Sequence, residues 1–98
     1  MHTSIWKFTG DPEELVRSYD ALAAAMPTAE FIAHLCLLAP DGIIVIDTCP
    51  TEEDFRAFAT SDEFRSARRE HGLPEPTELR DYPVHAIFTS DARHPVGE

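Results

Sequence analysis

The chain has 98 residues, the size of one domain, and a chain this short buries only roughly two thirds of the surface that it exposes when unfolded. Eight basic against eighteen acidic residues give a net charge of −10, which would repel a phosphate backbone, so we expect no nucleic-acid partner. Apolar residues make up 43% of the chain, but no apolar run reaches the ~18 to 20 residues that cross a bilayer, so we expect no membrane association.

The first quarter of the chain predicts a strand followed by a helix. Residues 4–9, SIWKFT, are rich in strand-forming side chains and end at Gly10. Asp11 is placed to cap a helix, with Pro12 at its first position and Glu14 at the position of a capping-box acid. Four apolar residues at helical spacing then predict one buried helix face: Leu15, Tyr19, Leu22 and Met26.

The most apolar stretch, residues 31–50, predicts a β-hairpin. FIAHLCLL and GIIVIDTC are typical strands, and APDG between them suits a tight turn. If Ala39 faces Gly42, the register places His34 opposite Asp47. Opposed Cβ atoms in a sheet are ~5 Å apart, so these two side chains can share a hydrogen bond.

The second half of the chain predicts an interrupted helix and a last strand. Thr51 is placed to cap the helix, and Ser61 to cap a continuation after a bend. LRDYPVHAIF, residues 79–88, predicts a strand in which Pro83 requires an edge or a bulge, and the polar tail 89–98 is expected to fray. The helical residues expected to face inward are Phe55, Phe58, Ala59, Phe64 and Ala67.

The predicted order is strand, helix, strand, strand, helix, strand. Right-handed crossovers place both helices on one face of a four-stranded antiparallel sheet with strand order 4-1-3-2. The sequence therefore predicts an α+β, ferredoxin-like sandwich as a single domain over residues 1–98, with its core in 4–88.

Each predicted strand divides its residues between a helix-covered face and a helix-free face. We expect the helices to cover Leu35, Leu37, Ile44, Ile46, Trp6, Phe8, Val84, Ala86 and Phe88. We expect the helix-free face to hold His34, Cys36, Leu38, Ile43, Val45, Asp47, Cys49, Ile5, Lys7, His85 and Ile87. Reversal of the first strand would instead turn Trp6 and Phe8 toward a flat aromatic guest. Because the helix-free face is too apolar for water, we expect a homodimer to form through it and to enclose a ligand cavity.

The segment IIVIDTCPTEEDFRAFATSDEFRSA resembles the dimeric α+β barrel proteins, and within them the antibiotic biosynthesis monooxygenase group. It looks like that group's third strand with an acidic residue, an acid-rich helix start and an SxxF break. The ending GLPEPTELRDYPVHAIF resembles uncharacterised bacterial members. The resemblance implies a dimeric barrel whose relatives include cofactor-independent oxygenases of aromatic polyketides, polyketide cyclases, haem-degrading enzymes and lactone isomerases.

The sequence departs from this group at several positions. Cys49 occupies a place where a Trp is common, so one aromatic wall of the usual cavity is expected to be missing. Haem-degrading relatives have a Trp and a haem-ligating His on the second helix, and the matching places look like Phe58 and Arg68 here. We therefore expect no cofactor, with His71 as the remaining alternative for an iron ligand.

Two histidines are the candidate catalytic bases, His34 and His85, with Asp47 to orient an imidazole ring. Deprotonation of an electron-rich phenol permits reaction with oxygen, whereas deprotonation of a poly-β-ketone starts an aldol cyclisation. A small aromatic or polyketide-like molecule is thus the expected ligand. The alternative is a non-catalytic protein in which His34 and Asp47 form a satisfied pair at the dimer seam.

The expected substrate-binding residues are Lys7, Cys36, Val45, Cys49, Tyr82 and Ile87. A metal site built from His34, Cys36, Asp47 and His85 is a weaker alternative, and we expect none. Two cysteines are too few for a disulfide framework, so we expect both to be reduced. The opening MHTSIWKF lacks the features of a secretory signal, so we expect a cytoplasmic protein.

Overall fold

The computed structural model describes residues 1–26 and 31–88, together with the backbone of residues 93–95. The helices are α1 (Pro12–Ala25), α2 (Glu52–Ala59) and α3 (Asp62–Glu70). The strands are β1 (His2–Thr9), β2 (Ala33–Ala39), β3 (Gly42–Cys49), β4 (Glu78–Pro83), β5 (Ala86–Phe88) and β6 (Arg93–Pro95). Within the described part, no helix has the length and apolar character that crossing a membrane requires.

The main sheet has four antiparallel strands in the order β2-β3-β1-β4. This is the predicted order 4-1-3-2 written from the other edge, and it confirms the ferredoxin-like α+β fold. β4 is an edge strand, and Pro83 is its last residue, where a missing N–H costs no ladder hydrogen bond.

Three side chains start the three helices, as the sequence predicts. Asp11 Oδ2 accepts the Glu14 amide at 3.1 Å and Thr51 Oγ1 accepts the Asp54 amide at 3.0 Å. Ser61 Oγ accepts an amide from α3 at 3.1 Å, which confirms the break between α2 and α3. Each such cap contributes about 1 kcal/mol to the stability of its helix.

The core lies between the sheet and the helices and is rich in aromatic rings. Trp6 of β1 makes edge-to-face contacts with Phe55, Phe58 and Phe64, at centroid distances of 6.5, 6.5 and 5.6 Å. The predicted stripe of α1 also packs here, and Leu15 and Leu22 are buried. The predicted inward faces of the helices are therefore confirmed.

The hairpin register is confirmed, but the faces assigned to the hairpin were wrong. His34 lies opposite Asp47 as predicted, yet both lie beneath the helices. The reason is the pairing of β1 with β3, in which Trp6 lies opposite Val45. Opposed residues of an antiparallel pair point to the same face, so a core-facing Trp6 brings Val45 and Asp47 to the helix side.

The helix-free face consequently has the more apolar of the two sets of hairpin side chains. Leu35 is 53% exposed and Leu37 is 42% exposed, whereas they were expected under the helices. They lie opposite Ile46 and Ile44 of β3, and Ile5 extends this surface on β1. We call Ile5, Leu35, Leu37, Ile44 and Ile46 the apolar sheet surface.

The last predicted strand, 79–88, was wrong beyond Pro83. The Val84 amide still donates to the Met1 carbonyl beside β1, and the chain then leaves the main sheet, because β5 pairs with β6 in a separate two-stranded sheet. The expected places of Val84, Ala86 and Phe88 under the helices, and of His85 and Ile87 on the helix-free face, are therefore incorrect. The tail predicted to fray includes β6, and the rest of it lies outside the described residues.

Gly42 allows β3 to approach β1, and this close approach gives a test of the sheet packing. A Cβ at Gly42 would lie 1.9 Å from the Phe8 carbonyl oxygen, so Gly42→Ala must push the two strands apart. We expect the free energy of unfolding to fall by about 3 kcal/mol in urea titrations. Gly10→Ala is a matched control because Gly10 has the same φ of 157° but only the Leu15 side chain nearby, at 3.5 Å. Equal losses in both variants would contradict the steric explanation.

Candidate functional site

A cavity of about 60 Å³ lies between the sheet and the helices, and we call it the inner cavity. Its polar side chains are Tyr19 from α1, His34 from β2 and Asp47 from β3. Its other lining residues are apolar, and five are aromatic: Trp6, Phe8, Leu22, Ala23, Phe31, Val45, Phe58, Phe64 and Leu73. A few polar groups in an apolar, aromatic pocket are typical of a small-molecule site.

The three polar side chains form one hydrogen-bonded chain. Asp47 Oδ1 bonds to His34 Nδ1, and His34 Nε2 bonds to the Tyr19 hydroxyl. The imidazole ring of His34 also stacks on the rings of Tyr19 and Phe31, with centroids 5.7 and 5.5 Å apart. Asp47 is only 4% exposed, so its negative charge is held in the interior by this contact. The ring of His34 is thereby fixed in position and orientation.

Hydrogen bonding assigns the protons along this chain. The carboxylate of Asp47 can only accept, so His34 Nδ1 has a hydrogen and donates it. In a neutral imidazole, Nε2 then has the lone pair and accepts from the Tyr19 hydroxyl. Burial raises the pKa of the Tyr19 phenol, and Cys36, Asp47 and Asp20 raise it further, so the phenol keeps its proton.

A second cavity of about 600 Å³ lies beside the inner cavity, and we call it the outer cavity. Phe31 and Phe58 line both cavities and touch each other edge to face, with centroids 5.4 Å apart. This pair of rings therefore forms the partition between the two spaces. The remaining residues of the outer cavity are Met26, Cys49, Pro50, Asp54, Ala57, Ser61 and Glu63.

Both cysteines are free thiols on the helix side of the sheet. Burial raises the pKa of Cys49 to about 11, and the carboxylates of Asp47 and Asp54 add to this effect. Burial likewise raises the pKa of Cys36, with a further contribution from Asp20. Because the thiolate is the nucleophilic form, neither thiol is activated at neutral pH.

The predicted site residues are divided among three places. Val45 lines the inner cavity with His34 and Asp47, and Cys49 lines the outer cavity. Lys7 lies on the helix-free face with its Nζ 3.4 Å from Asp41, and Tyr82 lies on the same face beside Arg80. His85 and Ile87 follow β4 outside the main sheet. The structure therefore brings His34 and Asp47 together but does not bring His85 to them.

The metal and haem alternatives find no converging ligands in the described part of the chain. Among residues 1–26 and 31–88, no three His, Cys, Asp or Glu side chains are grouped to hold a metal ion. Arg68, at the place of the haem-ligating His, is buried and donates to the Leu73 carbonyl at 3.1 Å. His71 lies at the C-cap of α3 and is absent from the linings of both cavities.

Tyr19 is the functional candidate that sequence reasoning missed. Its position in the predicted apolar stripe of α1 indicates only a packing role. A tyrosine hydroxyl that is turned into a core needs a hydrogen-bond partner, and this was the signal that could have paired it with His34.

The comparisons with known proteins support the fold of the chain but show no activity for it. No protein-family model matches the chain, and no curated protein matches it. Among solved structures, the chain is similar to a protein from Chloroflexus aurantiacus J-10-fl that is provisionally named an antibiotic biosynthesis monooxygenase. The TM-score is 0.61 at 17% sequence identity, and the match covers 89% of this chain and 96% of that chain. The resemblance seen in the sequence is therefore confirmed at the level of the fold.

Proposed function

We propose that the protein is a small-molecule enzyme of the antibiotic biosynthesis monooxygenase type, in which His34 acts as a base on an aromatic or polyketide-like compound. The observation behind this proposal is the His34–Asp47 pair at the wall of an otherwise apolar, aromatic-lined cavity. Asp47 holds the tautomer of His34 and stabilises the imidazolium that forms when His34 accepts a proton.

The products of deprotonation define two reaction types for one base. A phenolate from an electron-rich phenol can react with oxygen without a cofactor, and the carbanion of a poly-β-ketone can close a ring by aldol addition. The aromatic walls of the inner cavity would stack against either substrate, and their apolar character excludes water from the anion. We propose that no cofactor is needed for either step.

Cavity size sets a condition on the ligand. The inner cavity of about 60 Å³ is smaller than the roughly 150 Å³ that holds a benzene ring in another protein. A ring can enter only if the partition formed by Phe31 and Phe58 moves and joins the inner cavity to the outer one. The joined space would take a compound of two or three rings.

The apolar sheet surface supports a homodimer. Five large aliphatic side chains on one sheet face, with Leu35 and Leu37 about half exposed, are costly in water and suit a self-complementary interface. The interface would thus form through the helix-free face, as expected, but from a different set of residues. Two free cysteines suit a reducing compartment, and we propose the cytoplasm as the location.

A second candidate function is a non-catalytic homodimer that binds a ligand or serves a structural role. The hydrogen-bond chain favours it, because Asp47, His34 and Tyr19 already satisfy one another. No buried side-chain nitrogen or oxygen of the described residues is left without a partner. A hydrogen-bond chain that serves only the structure would have this same geometry. The catalytic and the non-catalytic function are therefore distinguished by measuring a reaction.

A larger side chain in the inner cavity tests whether the proposed reaction takes place there. Ala23 lines this cavity, and Ala23→Leu places a larger side chain in it, whereas Ala24→Leu changes the neighbouring exposed residue of α1 as a matched control. With a dihydroxyanthracene or a tautomerising poly-β-ketone as substrate, we expect Ala23→Leu to lower oxygen uptake or cyclisation at least about tenfold.

The same variants also report ligand binding. Trp6 is the single tryptophan of the chain and lines the inner cavity, so quenching of its fluorescence measures occupancy. Ala24→Leu should bind and react like the natural chain. Equal activity of Ala23→Leu would place the reaction elsewhere, and quenching without any turnover in the natural chain would favour the non-catalytic function.

A further inference from the structure

We infer that Tyr19 is the residue that contacts the substrate and that it passes the substrate's proton to His34. This inference rests on the proposed function of His34 and specifies how the base is reached. It also narrows the substrate to compounds whose acidic proton is bound to oxygen, namely phenols and enols.

The first step of the argument is the position of the basic nitrogen. His34 Nδ1 is bonded to Asp47, and Nε2 is covered by the hydroxyl of Tyr19. Both ring nitrogens are therefore engaged, and the lone pair of Nε2, which lies in the plane of the ring, is covered by the Tyr19 hydroxyl. A substrate in the inner cavity has no direct route to a lone pair of His34 while this arrangement holds.

The second step is the free capacity of the Tyr19 oxygen. A phenol oxygen has one hydrogen to donate and lone pairs that accept. Donation to His34 Nε2 leaves a lone pair on Tyr19 Oη, and Tyr19 is one of the residues that line the inner cavity. The hydroxyl of a phenol or enol in that cavity can donate to this lone pair.

The transfer balances without an oxidant or a metal ion. The substrate O–H bond breaks as a new O–H bond forms at Tyr19 Oη, and the original Tyr19 hydrogen moves to His34 Nε2. The products are a substrate oxyanion, a neutral Tyr19 and an imidazolium beside the Asp47 carboxylate. Tyr19 then donates a hydrogen bond to the oxyanion, which stabilises the charge that the transfer creates.

Charge in the neighbourhood supports a neutral substrate. The groups that face the Tyr19 hydroxyl electrostatically are Cys36 and Asp47 from the sheet and Asp20 from α1. Two of these are carboxyl groups, and the chain as a whole has a net charge of −10. A compound that arrives already ionised would be repelled by these carboxylates, so the substrate that enters is neutral.

The experiment uses 4-nitrophenol as the probe, because its anion absorbs visible light and its neutral form does not. Occupancy is followed by Trp6 fluorescence, and ionisation of the bound probe by its absorbance, at a pH where the free probe is mainly neutral. Tyr19→Phe removes one oxygen and keeps the ring that stacks on His34. Tyr82 was an expected substrate-binding residue, but it lies on the opposite sheet face and lines neither cavity, so Tyr82→Phe makes the same change as a matched control.

We expect the natural chain and Tyr82→Phe to bind and ionise the probe, and Tyr19→Phe to bind it with at least about tenfold less ionisation. If Tyr19→Phe ionises the probe as well as the natural chain, His34 acts directly, and the inference about Tyr19 fails while the proposed base stands. If the natural chain excludes the probe or leaves it neutral, the proposed function fails and the inference fails with it.

Discussion

His34→Gln should reduce proton abstraction by about 10²- to 10⁴-fold, the usual contribution of a positioned general base. Glutamine keeps a polar side chain of similar length but has no basic nitrogen, so binding in the inner cavity should change little while the reaction is lost. The measurement is the turnover of the phenol or poly-β-ketone substrate, normalised to the occupancy reported by Trp6 fluorescence.

His85→Gln is the matched control because His85 was the other candidate base. His85 is exposed and follows β4 outside the main sheet, so this variant should retain full activity. Loss of activity in His85→Gln with survival in His34→Gln would reverse the assignment. Full activity in both variants would show that neither histidine is the base.

Leu35→Glu should convert the proposed homodimer into single chains. Leu35 is 53% exposed in one chain, so the substitution costs little in its folding. In the dimer, the added carboxylate would be buried opposite aliphatic side chains without a basic partner, which costs several kcal/mol. The mass measured by sedimentation or light scattering should fall from that of two chains to that of one.

Leu38→Glu provides the control on the same strand. Leu38 is 76% exposed, but its side chain points to the opposite side of β2 from Leu35. This variant should have the mass of the natural protein. If both variants remain dimeric, the interface lies outside the apolar sheet surface, and if the natural chain is monomeric, the proposed homodimer is wrong.

Local signals in the sequence determined most of the fold. The caps at Asp11, Thr51 and Ser61, the hairpin register and the edge position of β4 depend on short-range chemistry that is visible in consecutive residues. The strand beyond Pro83 was predicted wrongly because β propensity alone does not show which sheet a strand joins.

The face of the hairpin could not be decided by hydrophobicity alone. The residues on both faces of the hairpin are largely apolar. Their relative hydrophobicity predicts that Leu35 and Leu37 face the helices and that His34 faces away from them. The structure does the reverse because Tyr19 gives His34 a partner inside, and because pairing of Trp6 with Val45 ties the two strands to one face. These contacts join residues that are far apart in the sequence, so the pattern of residues within the hairpin does not predict them.

The inner cavity is lined by residues of one chain, from β1, α1, β2, β3 and the two later helices. In the proposed assembly, each subunit would consequently have its own copy of this cavity, lined by its own residues. Ligand saturation should then follow a simple hyperbola with one molecule per polypeptide, and a dissociated protein should titrate in the same concentration range as the intact pair.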